Sequence, residues 1–296
     1  MNANEKRKLG RTDVELTQFG FGAASLGEIF ALVSEEDTLS TLQTLWKHGV
    51  RYIDTAPFYG FGLSEHRVGS FLSQQPRQEF VLSTKVGRVL KAPKVKAGFK
   101  APFFLGGLPF DHVFDYTYDG IMRSFEDSLQ RLRLNSIDLL LIHDLEFGHH
   151  GAKLQTYRDQ FSNSGWRAVE RLRSTGEVRA IGAGANELEV IPYFLERFDL
   201  DFFILARQYT LLEQDALDEA LPMCQARNVG IILASVFNSG ILVTGPVEGA
   251  KYVYEDAPAE VLEKVTRIEQ VCRRHNVSLA AAAIQFPLAH PCVASV

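Results

Sequence analysis

The sequence predicts an α/β chain closed as a (β/α)8 TIM barrel, with an N-terminal β-hairpin and long loops after the third and fourth strands. Three observations predict it. About eight short apolar runs recur along the chain, segments of helical period lie between them, and 296 residues is a length that one such barrel fills.

The opening segments KRKLG and VELTQFGFG alternate in strand fashion around Gly10-Arg11-Thr12-Asp13, which reads as a hairpin turn. The apolar runs follow at Phe19 to Gly22, Arg51 to Ile53, Phe80 to Thr84, Ile137 to Ile142, Val178 to Gly182, Phe202 to Ala206, Ile231 to Ala234 and Cys292 to Val296, each reading as a strand buried on both faces. Helical spacing of three and four runs through Glu36 to His48, Tyr118 to Leu132, Trp166 to Arg173, Ala216 to Arg227 and Pro258 to His275. Ser34, followed by three acids, is the expected N-cap of the first of these. Residues 91–117 and 146–163 mix Pro, Gly and aromatics without a period and read as loops at the strand ends where a barrel carries its site. The whole chain, 1–296, reads as one domain that stops at PCVASV, inside the eighth strand. A barrel ending there leaves apolar surface at its seam, so further residues are expected in the natural chain.

A chain 46% hydrophobic and 23% charged is ordinary globular material, and a net charge of -5 speaks against a nucleic-acid partner, which normally meets a basic surplus. No apolar run is long enough for a bilayer, and MNANEKRKLGRTD lacks the apolar core of a secretory signal. Cys224, Cys272 and Cys292 form no close pair, which argues against a disulfide framework or a metal knuckle. A cytoplasmic protein with a small-molecule partner and no metal is expected. No heptad seam indicates an oligomeric state.

The polar residues at the strand ends carry the chemistry. Asp54 ends the second strand, Tyr59 lies in the loop beyond it, Lys85 ends the third strand and His143 the fourth. Each alone has an ordinary structural role, but four at corresponding ends of one barrel face point to a site. A phenol is a poor acid or base at neutral pH, and a cation beside it favours the phenolate, so Lys85 is expected to lower the Tyr59 pKa while Asp54 keeps Lys85 charged. His143 is expected to hold a carbonyl oxygen near Tyr59. Gly22 and Ala23, at the first strand end, allow close backbone approach. The near-match Gly20-Phe21-Gly22-Ala23-Ala24-Ser25 to a dinucleotide fingerprint lacks the third small residue and the acidic strand end.

The segments RKLGRTDVELTQFGFGAASLG, GVRYIDTAPFYGFGLSEHRVG, VLSTKVGR, SLQRLRLNSIDLLLIHD, GEVRAIGAGANE and ASVFNSGIL stand in order along the chain, and together they make it resemble the aldo-keto reductase superfamily. The resemblance implies that Asp54, Tyr59, Lys85 and His143 form a catalytic tetrad and that NADP or NAD lies across the strand ends. It implies that Asn186 and Gln208 hold the nicotinamide carboxamide, and that Phe237, Asn238, Ser239 and Gly240 wrap the pyrophosphate with backbone N–H groups. Two departures stand out: Ala185 where a serine is common, and Ser235 and Val236 where many members stack an aromatic on the nicotinamide. The absent C-terminal segment leaves the choice between NADP and NAD open.

Within the superfamily the resemblance is greatest to bacterial aldose 1-dehydrogenases, the group of L-fucose and D-threo-aldose dehydrogenases and pyridoxal 4-dehydrogenase. It implies oxidation of a sugar hemiacetal to a lactone, with Tyr59 as base. Phe58 and Asp144, and less directly Trp166, Phe103, Phe104 and Phe110, are the expected substrate contacts. The alternatives are a general aldehyde or ketone reductase, a Schiff-base lyase using Lys85, and a non-catalytic NADP-sensing subunit.

Overall fold

The structure is a computed structural model describing residues 4–29, 31–94, 103–253 and 255–296. Its central sheet has eight parallel strands in chain order, Gly20–Gly22, Tyr52–Asp54, Val81–Val86, Leu139–Ile142, Ala180–Ala185, Phe202–Ala206, Gly230–Ala234 and Val293–Ser295. The ends meet. Gly20 N–H donates to the Val296 carbonyl at 2.8 Å and Val296 N–H to the Gln18 carbonyl at 2.9 Å, which closes the sheet as the apolar runs predict. The strands are buried because both faces are covered: Leu139, Leu140, Leu141 and Ile142 are all fully inaccessible. The predicted hairpin pairs Lys6–Lys8 with Glu15–Thr17, and its Leu9, Val14 and Leu16 pack against Tyr52, Leu139, Leu141, Phe202 and Ile232.

The helices follow the expected periods. Glu35–Lys47 starts at Ser34, whose hydroxyl accepts from Asp37 N–H at 3.0 Å. Tyr118–Leu132, Trp166–Ser174 and Ala259–Arg274 lie where their apolar spacing puts them. The segment predicted over Ala216 to Arg227 is shorter, Ala220–Ala226 preceded by a 3-10 turn at Asp215–Leu217.

The two predicted loops are more ordered than their sequences suggest. Arg88–Lys91 pairs antiparallel with Asp111–Phe114, so the insertion after the third strand rises on a two-stranded ribbon. Residues 95–102 of that insertion lie outside the described residues. Its returning arm is tied down: Leu105 N–H donates to the Glu28 carbonyl, Gly107 N–H to Glu28 Oε2 and Leu108 N–H to the Gly60 carbonyl. Residues 146–163 form a helical stack, Phe147–His150, Leu154–Gln160 and a π-helical turn at Phe161–Gly165. Both corrections have one cause: these elements are held by partners distant in sequence, which local periodicity does not register. The cysteines are free; Cys224 and Cys272 are buried and Cys292 half-buried.

Candidate active site

Asp54, Tyr59 and Lys85 meet at the C-terminal ends of the second and third strands. Parallel register pairs Asp54 with Ser83 and points Lys85 toward the same end of the barrel. The Lys85 ammonium donates to Asp54 Oδ2 at 2.7 Å, to the Thr55 carbonyl at 2.9 Å and to the Tyr59 phenol oxygen at 3.0 Å, which occupies its three protons. Ser83 Oγ donates to the other Asp54 oxygen at 2.7 Å. Tyr59 is fixed through its backbone. A side chain at Gly27 would meet the Tyr59 carbonyl carbon at 2.5 Å, and Gly60 has φ 63°, so two glycines let the loop close on the first strand's exit.

Burial decides the electrostatics. Burial pushes the Tyr59 phenol up to about 12, with Asp54 adding to the rise, and Lys85 offsets only part of it. The expected lowering is therefore corrected: the cation acts in that direction, but desolvation prevails and the phenol stays protonated at neutral pH. Burial alone would lower the Lys85 ammonium, but Asp54 and the Tyr59 oxygen outweigh it and hold it above its ordinary range.

His143 lies across from Tyr59, ring centroids 6.0 Å apart and planes nearly perpendicular. Burial takes its pKa well below the ordinary value, despite Asp144, so the ring is neutral at pH 7. Its Nε2 lies 3.3 Å from Asp144 Oδ2, and its buried Nδ1 has no hydrogen-bond partner among the described residues. A carboxylate at that distance favours the proton on Nε2, and because the contact is longer than a good hydrogen bond that proton can turn to a substrate oxygen in exchange for Asp144.

Asp144, expected to contact substrate, is committed to protein partners. Arg88 Nη2 donates to its Oδ2 at 2.5 Å, and Asn186 Nδ2 lies 3.4 Å from its Oδ1. Burial would raise this carboxyl, but His143, Arg88 and His149 hold it well below the usual carboxylate range. Its φ of 51° is left-handed, unusual for a non-glycine residue. Arg88 is itself buried, its guanidinium 3.9 Å from the Phe58 ring centroid and 4.5 Å from that of Phe114, with Nη1 3.1 Å from His112 Nε2. Phe58 packs edge-on against Phe61, Phe104 and His143, making an apolar wall beside the catalytic candidates. Phe103 touches Phe58 but is 78% exposed, and Phe110 is also exposed. Trp166 is corrected: its ring packs on Phe161 and Phe198, away from the Phe58 wall, because it opens an outer helix.

Asn186 and Gln208 stand together beyond the fifth and sixth strands, Gln208 Nε2 donating to the Asn186 carbonyl at 2.7 Å. After the seventh strand, Ser235, Asn238, Ser239 and Gly240 all have positive φ. The N–H groups of Asn238 and Gly240 are bonded inside this loop, to the Ser235 and Phe237 carbonyls, so these two are not turned outward as expected. Asn238 Oδ1 is buried without a partner among the described residues, and beyond the flanking residues no described residue comes within 4 Å of where a Cβ on Gly240 or Gly22 would stand. An open rim, an orphaned oxygen and two paired amides fit a nicotinamide nucleotide laid across the strand ends.

Arg88, Glu146, His112 and His149 were not singled out from sequence. Arg88 follows Lys85 by three residues and Glu146 follows His143 by three, a repeated charge just past a strand end that would have marked both. Asp144, Glu146 and His149 offer ligand atoms within 4.8 Å of one another. Among the described residues, Arg88 and Asn186 already donate to these carboxylates, so the cluster is closed by hydrogen bonds.

Residues 18–296 match the profile of the aldo/keto reductase family. The chain is 42% identical over 305 residues to pyridoxal 4-dehydrogenase of Microbacterium luteolum, covering all of this chain and 89% of that protein. It is 41% identical over 288 residues to D-threo-aldose 1-dehydrogenase of a Pseudomonas species, covering 94% and 83%. In fold it is similar to the holo form of an aldo-keto reductase from Bacillus halodurans, with TM-score 0.73 and 26% identity over 99% of this chain and 85% of that one. No helix among the described residues is long and apolar enough to cross a membrane. The eight-stranded barrel, the residues gathered at its strand ends and these matches lead to one assignment: the chain belongs to the aldo-keto reductase family and is an NAD(P)-dependent oxidoreductase.

Proposed function

We propose that the chain oxidises the hemiacetal hydroxyl of an aldose to a lactone, with Tyr59 as the proton-transfer residue. The observation that carries this reading is the Lys85 ammonium 3.0 Å from the Tyr59 oxygen and 2.7 Å from Asp54. A bound oxidised nicotinamide supplies the hydride acceptor. Tyr59 takes the hydroxyl proton, Lys85 stabilises the phenolate that must form first, and Asp54 holds Lys85. His143 donates from Nε2 to the reacting oxygen, and Phe58 walls the site from water. The tetrad and the cofactor contacts at Gly22, Ala23, Asn186, Gln208 and Phe237 to Gly240 are part of this proposal, as is a single cytoplasmic domain.

The named substrates of the two similar dehydrogenases are both hydroxy aldehydes, which supports a substrate that closes on itself as a hemiacetal. General aldehyde reduction is the second direction of the same chemistry. A Schiff-base lyase needs a neutral amine, and Lys85 is an ammonium with every proton engaged. The test is a panel of aldoses, pyridoxal and simple alcohols with NAD and NADP, and of simple aldehydes with NADH and NADPH, followed by absorbance of the reduced cofactor. Turnover of aldoses above simple alcohols supports the reading; reduction of simple aldehydes without sugar oxidation overturns it.

A further inference from the structure

Glu146 is a buried carboxylate, 1% exposed, on the first turn beyond the fourth strand. Its Oε1 accepts from Asn186 Nδ2 at 2.5 Å and lies 3.1 Å from His149 Nδ1. Its Oε2 accepts from the backbone N–H groups of Asn186 at 2.9 Å and Glu187 at 3.1 Å. An ionised carboxylate only accepts, so the Asn186 amide can face it only with its NH2 group. That turns Asn186 Oδ1 away from Glu146. Gln208 is oriented by the same logic: its NH2 donates to the Asn186 carbonyl, which leaves Oε1 outward. No described residue donates to either side-chain oxygen.

We propose that Glu146 is a positioning residue that makes the Asn186–Gln208 pair an all-acceptor site, reading the nicotinamide carboxamide through its NH2 group. This rests on the reading that Asn186 and Gln208 meet the nicotinamide. The site then rejects a cofactor whose carboxamide is replaced by an acetyl group, which keeps the carbonyl and loses both N–H donors. Ala185 sharpens the requirement, because the neighbouring side chain has no hydroxyl to donate to a carbonyl.

The experiment measures dissociation constants of the reduced natural cofactor and of its 3-acetylpyridine analogue by calorimetry, for wild type, Glu146→Gln and Asn186→Ala. Wild type should prefer the carboxamide by about tenfold or more, the value of one or two net hydrogen bonds. In Glu146→Gln the new amide offers both a donor and an acceptor, so Asn186 loses its fixed orientation and the preference should fall toward one. Asn186→Ala should remove the same preference with the carboxylate kept, which decides the matter if Glu146→Gln does not fold. A merely structural Glu146 would weaken both cofactors alike. Equal wild-type affinities, or full preference retained in either variant, overturn the proposal. Turnover with undiminished rates but no preference defeats this inference alone, whereas failure of wild type to bind either natural cofactor defeats the hydride-transfer reading beneath it.

Discussion

Two buried ionic clusters lie at the same rim of the barrel and are built in different ways. In the first, Asp54 and Lys85 come from adjacent strands whose register brings them together. In the second, Arg88 opens the ribbon after the third strand, Asp144, Glu146 and His149 lie in the segment after the fourth and Asn186 follows the fifth, and their positions depend on one another. The difference teaches where precision resides. The first cluster inherits its geometry from the sheet, so replacing its ion pair as a whole should change chemistry more than shape. The second holds itself in place, so removing one member leaves a buried charge unpaired and should change shape as well.

The largest expected effect tests the first half of that contrast. Lys85→Met combined with Asp54→Asn, so that no buried carboxylate is stranded, removes the cation that favours the phenolate and should lower kcat by roughly a thousand-fold with the melting transition little moved. Steady-state kinetics and calorimetry on one preparation check it, and large destabilisation with modest kinetic loss would reverse the contrast. Arg88→Met should do the opposite, costing about 3–5 kcal/mol of stability because the Asp144 charge is stranded. Urea unfolding measures this, and adding Asp144→Asn should recover part of the loss, since neighbours in one network do not add. The smallest effect is a slope. With the Tyr59 phenol raised to about 12, the phenolate fraction grows with pH throughout the neutral range. Oxidation needs the phenolate and should accelerate by about tenfold per pH unit, whereas carbonyl reduction needs the phenol and should stay flat. A flat oxidation profile from pH 6 to 9 would show that burial does not control Tyr59.

The same contrast explains what was legible in the sequence. Asp54, Lys85 and His143 stand at the ends of apolar runs, so strand periodicity alone places them on one rim, and Tyr59 follows within one short loop. The Tyr118–Leu132 helix and the Ser34 cap were likewise local signals. Arg88 and Asp144 are 56 positions apart, and Glu146 and Asn186 40, so nothing local reveals either pairing. Glu146 within LEFGHH reads as a solvated loop acid until the fold shows it 1% exposed. The net direction of the Tyr59 shift was missed for the same reason: the cation is visible in sequence, but the desolvation that outweighs it is a property of the packed site. The ribbon at Arg88–Lys91 and Asp111–Phe114 stayed hidden because its strands are separated by a Pro- and Gly-rich stretch without a period.

The central claim is that Tyr59 moves the proton in a site that Lys85 and Asp54 tune. Tyr59→Phe keeps the ring and removes only the hydroxyl, so rapid-mixing measurement of hydride transfer, with cofactor affinity determined on the same protein, addresses it most directly. The rate should fall by about a thousand-fold or more, with cofactor dissociation constants within about twofold of wild type. Hydride transfer within about tenfold of wild type, at unchanged cofactor affinity, would contradict it.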